Sequence, residues 1–182
     1  STPIKSSAAS DVYKRQEVHC MKDVNDLMQA ILEMDAAQRK VSEKAKLERT
    51  ARLAALDETF RDIVAGASRR LLVFGDRFPL LYFCRAYGLD YRAAFHGCAG
   101  DTEPSLATLK YLIDLVNEQH IPVVYTIELS SRKVAQAIAE TTGAQVRTFH
   151  SCQTVSRAEF DSGVTYLQLM EANADALREG LS

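Results

Sequence analysis

The 182-residue sequence predicts an α/β fold: a four-stranded parallel sheet flanked by helices and preceded by a long connecting helix. Three features of the pattern carry that expectation. From Ser68 onward, short apolar runs alternate strictly with amphipathic stretches, the mark of parallel strands joined by right-handed helical crossovers. Upstream, a run of about 28 residues keeps apolar side chains at helical spacing among many charges, which corresponds to about 40 Å of helix. A hydrophobic share of 47% is enough for one sizeable core in a chain of this length.

In order along the chain, residues 1–16 (STPIKSSAASDVYKRQ) are polar, serine-rich and aperiodic. They resemble translated adapter sequence and are expected to be a non-native leader, set apart from the fold, with the natural gene starting further upstream. Residues 17–67 form a helical segment. Val24, Leu27, Met28, Ile31 and Leu32 predict a short helix over Val18–Met34. Val41, Leu47, Leu53, Leu56, Phe60 and Val64 predict a longer one from Gln38 to Ala65, with Gly66 near its end.

Residues 68–182 form the α/β lobe. Strands are predicted at Leu71–Gly75, Tyr91–Phe95, Val123–Glu128 and Gln145–Phe149. Helices are predicted at Pro79–Tyr87, Ser105–Gln119, Ser131–Thr142 (stopped by Gly143) and Arg157–Arg178. Pro104 and Ser105 read as the start and capping region of their helix, with Glu103 structural beside them. Each strand delivers its following loop to one edge of the sheet. Four loops converge there: Gly75-Asp76, His96 to Cys98, Glu128, and His150 to Cys152.

Several function classes are disfavoured. A net charge of -2 and a pI near 6.1, with no basic stripe, leave no footprint for nucleic acid. No apolar stretch approaches the ~18 residues that span a bilayer. Four cysteines without a Cys-x-x-Cys spacing argue against a zinc finger or a thioredoxin-like site, and Cys84 reads as a small buried hydrophobe. Neither a glycine-rich phosphate loop nor a Gly-x-Ser-x-Gly elbow occurs.

What stands out is a repeated His-x-Cys pair, His96-Gly97-Cys98 and His150-Ser151-Cys152, each directly after a predicted strand. Ligands of open α/β sheets bind at the carboxyl ends of the strands, and imidazole with thiolate suits zinc and other borderline divalent metals. The alternatives are histidines satisfied by core hydrogen bonds, a disulfide between Cys98 and Cys152, free thiols, or a Cys-His hydrolase pairing within one loop.

The stretch GDRFPLLYFCRAYGLDYRAAFHGCAGDTEPSLATL, then VVYTIE, AETTGAQV, FHSCQTVS and GVTYLQLMEANADALREGL, resembles the C-terminal lobe of the zinc/manganese solute-binding proteins of bacterial ABC importers. The likeness covers residues 38–182. It implies two α/β lobes joined by one long rigid helix, with the metal held between them by two residues from each. Gln38–Ala65 then corresponds to that helix, and the N-terminal lobe is the missing partner. His19, in Glu17-Val18-His19, is faintly similar to a ligand segment of that other lobe.

The resemblance also implies site residues. The family's third ligand, a His or Glu after the first strand of this lobe, falls at Gly75 within Gly75-Asp76-Arg77-Phe78. Asp76 can offer an oxygen from the next position, or serve as an ordinary helix N-cap. The fourth ligand position, directly after the last strand, is His150, with Cys152 beside it. His96 and Cys98 lie in the loop that shapes the pocket. Glu128 matches an acidic residue that holds ligands or helix ends in place, with a charge favoured by the following helix dipole as the alternative.

The function so implied is capture of Zn2+, with Mn2+ as the alternative, by the solute-binding component of an importer. It would act outside the cytoplasm, at the cell surface or in the periplasm and lipid-anchored, and dock on an ABC permease in the membrane. A Cys-His hydrolase and a structural fragment exposing an interlobe surface are the competing readings.

Overall fold

A computed structural model describes residues 7–95 and 104–182, the first eighteen of these by backbone alone. The elements are α1 (Ser7–Ala65), β1 (Leu71–Phe74), α2 (Leu81–Tyr87), β2 (Asp90–Ala93), α3 (Leu106–Glu118), β3 (Val123–Thr126), α4 (Lys133–Thr142), β4 (Gln145–Thr148), α5 (Arg157–Ser162) and α6 (Tyr166–Leu181). Two compact units result, Ser1–Ala51 and Arg52–Ser182.

The first unit is helical. Leu27, Met28, Ile31, Leu32, Met34, Val41 and Leu47 are all exposed on it. Where the sequence suggested a break between two helices, α1 continues. Met34 to Gln38 contains neither glycine nor proline to stop it, and Asp35 pairs with Arg39 one turn on at 2.8 Å.

In the second unit the four strands form one sheet in the order β2-β1-β3-β4, every pairing parallel, as the alternating pattern required. The period of two sorts side chains onto its faces. Leu72, Phe74, Val123 and Tyr125 face a layer formed by Leu56, Phe60 and Val64 of α1 with Leu177 and Leu181 of α6. Val73 and Val124 face the opposite way, onto Leu112 and Val116 of α3 and Ala135 and Ile138 of α4. Tyr125 crosses the first layer, and its hydroxyl donates to the Ala176 carbonyl at 3.0 Å. A Cβ on Gly180 would stand 1.9 Å from that hydroxyl oxygen, so the helix can pass only where it has no side chain.

The expected final helix is two. Gly163 ends α5 in the left-handed region at φ 71, and Thr165 opens α6 with a capping box to Gln168. Among the described residues, no helix is long and apolar enough to cross a membrane. His96 and Cys98 lie outside the described residues, and with them the disulfide alternative.

Candidate metal centre

The last strand places the histidine. Phe149 is fully buried and its N–H donates to the Thr126 carbonyl at 2.8 Å, extending the β3–β4 ladder by one bond. His150 follows at the carboxyl end of β4, and Asn173 of α6 fixes its backbone from both sides. The His150 N–H donates to Asn173 Oδ1 at 2.6 Å, and Asn173 Nδ2 donates to the His150 carbonyl at 2.8 Å. Both residues are buried, so the pair is shielded from solvent.

The imidazole is thereby aimed. Its Nδ1 accepts the Cys152 N–H at 2.9 Å, so a neutral ring carries its proton on Nε2. Nε2 is buried and has no hydrogen-bond partner. An unpaired polar atom in such a place costs about 1–3 kcal/mol, and among the described residues it shares that state only with the Thr126 hydroxyl at the end of β3. Facing it is Glu159 Oε1 at 3.8 Å, while Glu128 Oε2 lies 4.0 Å from Nδ1.

Glu128, just past β3, does not cap the next helix. The N-cap of α4 is Arg132, which makes no side-chain cap bond. Glu128 instead receives Ser151 twice, from the backbone N–H at 2.7 Å and from the hydroxyl. Burial pushes its carboxyl up, but these hydrogen bonds, with its own backbone N–H and His150, hold it below the usual carboxylate range. It is an anion buried behind the histidine, its side chain 7% exposed.

Asp76 is buried and also has a structural employment. Its Oδ1 accepts the Arg77 N–H at 2.8 Å and its Oδ2 the Ile127 N–H at 3.3 Å, which ties the end of β1 to the end of β3. Because α2 starts only at Leu81, with Leu80 at its N-cap, Asp76 is not that helix's cap. Asp76 and Glu128 share the wall of a cleft of about 680 Å3 that also takes in Gly75, Ser130 and Lys133. Gly75 itself is locked: a Cβ there would fall 2.5 Å from the Ala135 Cα.

Cys152 is half-buried at φ 61, and burial, then Glu128, push its thiol up. Its Sγ lies 3.8 Å from the His150 carbonyl rather than against the ring. Among the described residues, no three His, Cys, Asp or Glu side chains are grouped to enclose a metal ion on their own. The structure thus brings His150, Glu128 and Cys152 together and sets Asp76 on the adjoining cleft.

The sequence reading passed over Glu159. At the third position of α5 its Oε2 accepts both the N–H and the hydroxyl of Ser156 at 2.7 Å, leaving Oε1 free toward His150. The Ser156 hydrogen bonds hold its carboxyl below the usual range. The signal was present, since Ser156-x-x-Glu159 is a capping-box spacing.

Known proteins share this arrangement of elements. A family model described as ZnuA, zinc-uptake complex component A periplasmic, matches residues 18–180. The high-affinity zinc uptake system protein ZnuA of Bacillus subtilis is 30% identical over 169 residues, 90% of this chain and 51% of that protein. The zinc-binding lipoprotein AdcA of Streptococcus pneumoniae is 26% identical over 128 residues, 70% of this chain and 25% of that protein. Among solved structures, the metal-dependent lipoprotein YcdH from Bacillus subtilis superposes with a TM-score of 0.65 at 31% identity, covering 77% of this chain and 52% of that one. The Zn(II)-bound ZnuA-like domain of Streptococcus pneumoniae AdcA, 24% identical with a TM-score of 0.62 over 76% of this chain and 51% of that one, shares the fold. The chain spans about half the length of the Bacillus subtilis relative it matches.

Proposed function

We propose, since this chain belongs to the ZnuA family of periplasmic zinc-uptake complex components, that it captures zinc as the C-terminal half of the solute-binding component of an ABC importer. The observation that carries the reading is the buried, partnerless Nε2 of His150 at the carboxyl end of β4, where a ligand of an open α/β sheet is expected. A divalent ion would supply that atom with the partner it lacks. His150 is the principal donor. Asp76, next to Gly75 on the cleft, and Cys152 are the nearby reserve, and His96 and Cys98, which follow β2 in the sequence, complete the set of candidates. Glu128, held by Ser151, positions His150 from behind.

Imidazole nitrogen favours zinc over manganese, which prefers an all-oxygen set. A half-shell from this lobe, closed by two donors of an N-terminal lobe, gives the four-coordinate site of captured zinc. The relatives are described as periplasmic or as lipoproteins, which supports action outside the cytoplasm with a lipid anchor and a membrane permease as partner. Capture rather than hydrolysis fits the site, because a Cys-His nucleophile needs an activated thiolate. The Cys152 thiol is pushed the other way, and its backbone N–H occupies the His150 Nδ1.

Calorimetric titration of zinc and manganese into the reduced chain, beside His150→Ala, tests this. Zinc is expected to bind more tightly than manganese and to be lost with the imidazole. Equal zinc affinity in the two proteins removes His150 from the site.

A further inference from the structure

Gly75 leaves this lobe one donor short, and the packing of α4 against it prevents a side chain from filling the position. Resting on the capture reading above, we propose that Glu159 supplies the second metal donor of this lobe, through Oε1 beside His150 Nε2. Three observations converge on it. Nε2 belongs to a side chain only 6% exposed and has no partner. Glu159 Oε1 faces it at 3.8 Å. Glu159 Oε2 is clamped by the Ser156 N–H and hydroxyl, both at 2.7 Å, so the carboxylate is oriented before any ion arrives.

The distance suits a shared ion. Nitrogen and oxygen donors about 2.0–2.1 Å from one tetrahedral zinc stand about 3.3 Å apart, and here the gap is about 0.5 Å wider. A direct hydrogen bond, by contrast, would need it nearly 1 Å shorter. The pair is too far apart to satisfy itself and close enough to be bridged. Glu159 is also the more exposed partner, with 36% of its side chain accessible, which gives an ion a way in to the buried ring.

Ligation sets the imidazole proton. The Nε2 lone pair must face the ion, so a proton leaves Nε2 and one is taken up at Nδ1, keeping the ring neutral. Nδ1, once protonated, no longer accepts the Cys152 N–H, and Glu128 Oε2, 4.0 Å away, is the carboxylate that flanks that side of the ring.

The chain contains its own control for the test. Gln168 holds the α6 capping box as Glu159 holds that of α5, its Oε1 accepting from the Thr165 N–H at 2.8 Å and hydroxyl at 2.9 Å. Glu159→Gln can therefore keep the cap while replacing the free carboxylate oxygen with an amide nitrogen. Zinc would be titrated by calorimetry into the reduced chain, Glu159→Gln, Glu159→Asp and His150→Ala, with thermal melts of each and nitrogen NMR of the His150 ring. The expected result is a loss of zinc affinity of at least about tenfold in both Glu159 variants with the Gln melt unchanged, and a proton that sits on Nε2 without zinc and on Nδ1 with it. If Glu159→Gln stays within about twofold of the unsubstituted chain while His150→Ala loses binding, Glu159 is no donor and the capture reading stands. Wild-type affinity in Glu159→Asp, whose carboxylate is drawn back by one methylene, assigns the effect to charge at a distance and overturns ligation. Unchanged binding in His150→Ala, or none in the unsubstituted chain, overturns both readings.

Discussion

Ala135 packs so closely under Gly75 that its Cα would lie 2.5 Å, and its backbone N 2.7 Å, from a Cβ placed there. The contact is made by helix backbone, which cannot swing aside as a side-chain tip can. At the first of the two strand ends where the family resemblance implies a ligating side chain, this chain has closed the space with α4. The absent ligand is thus a matter of packing as well as of residue identity.

Putting the ligand back should therefore fail. Gly75→His is expected to cost about 1–3 kcal/mol or more, since α4 must move to admit the Cβ. Zinc affinity should not rise. Urea unfolding and calorimetry measure the two effects, and a stable variant with tighter zinc binding would show that α4 yields freely.

Asn173→Ala leaves the His150 N–H buried without a partner and its carbonyl with only the Cys152 thiol at 3.8 Å. The expected loss is about 1–3 kcal/mol for each group left unsatisfied, offset where water can enter. The denaturant midpoint reports it. Zinc affinity should fall with it, because the imidazole loses its anchor.

An alanine at a helical glycine usually stabilises by up to ~1 kcal/mol, but at Gly180 the sign should reverse. The added methyl meets the Tyr125 hydroxyl, and overpacking of this kind costs about 1–3 kcal/mol. Tyr125→Phe removes the obstructing oxygen. A double-mutant cycle should show Gly180→Ala costing less in that background, and additive effects would place the collision elsewhere.

At high pH the second unit should weaken over a defined window. Burial, then the hydrogen bond to Asp57, push the Tyr87 hydroxyl up from 10.0 to about 12, and burial, then Asp90, push the Cys84 thiol up from 9.0 to about 12. Both groups are neutral when protonated and both folded values lie above the unfolded ones. Their contribution is fully present below about pH 9 and is lost as pH rises toward about 12. Circular dichroism across that range should show the loss, and Tyr87→Phe should flatten it.

The sheet was legible because its signals are local: runs such as Leu71–Phe74 and Val123–Thr126 are apolar, short and punctuated, and alternation with helices dictates parallel pairing. The split at Gly163 was equally local, in a glycine followed two residues later by a Thr-x-x-Gln box, but the apolar spacing of Phe160, Val164 and Leu167 carried through it and hid the stop. The position of His150 at a strand end could be read because it is a one-dimensional property. Its surroundings could not. The Asn173 and Ser151–Glu128 bonds each join residues 23 apart, and no periodicity encodes which polar side chains meet across a fold.

Asn173 lies on α6, so the backbone around His150 is held by a residue translated later than itself. A nascent chain grown only as far as α5 has its sheet and its histidine but not the clamp that aims the ring. Synthesis runs from the N-terminus, and elements dock as they emerge. If His150 is the donor proposed above, competence for metal waits on the docking of α6, the closing event of the lobe's maturation.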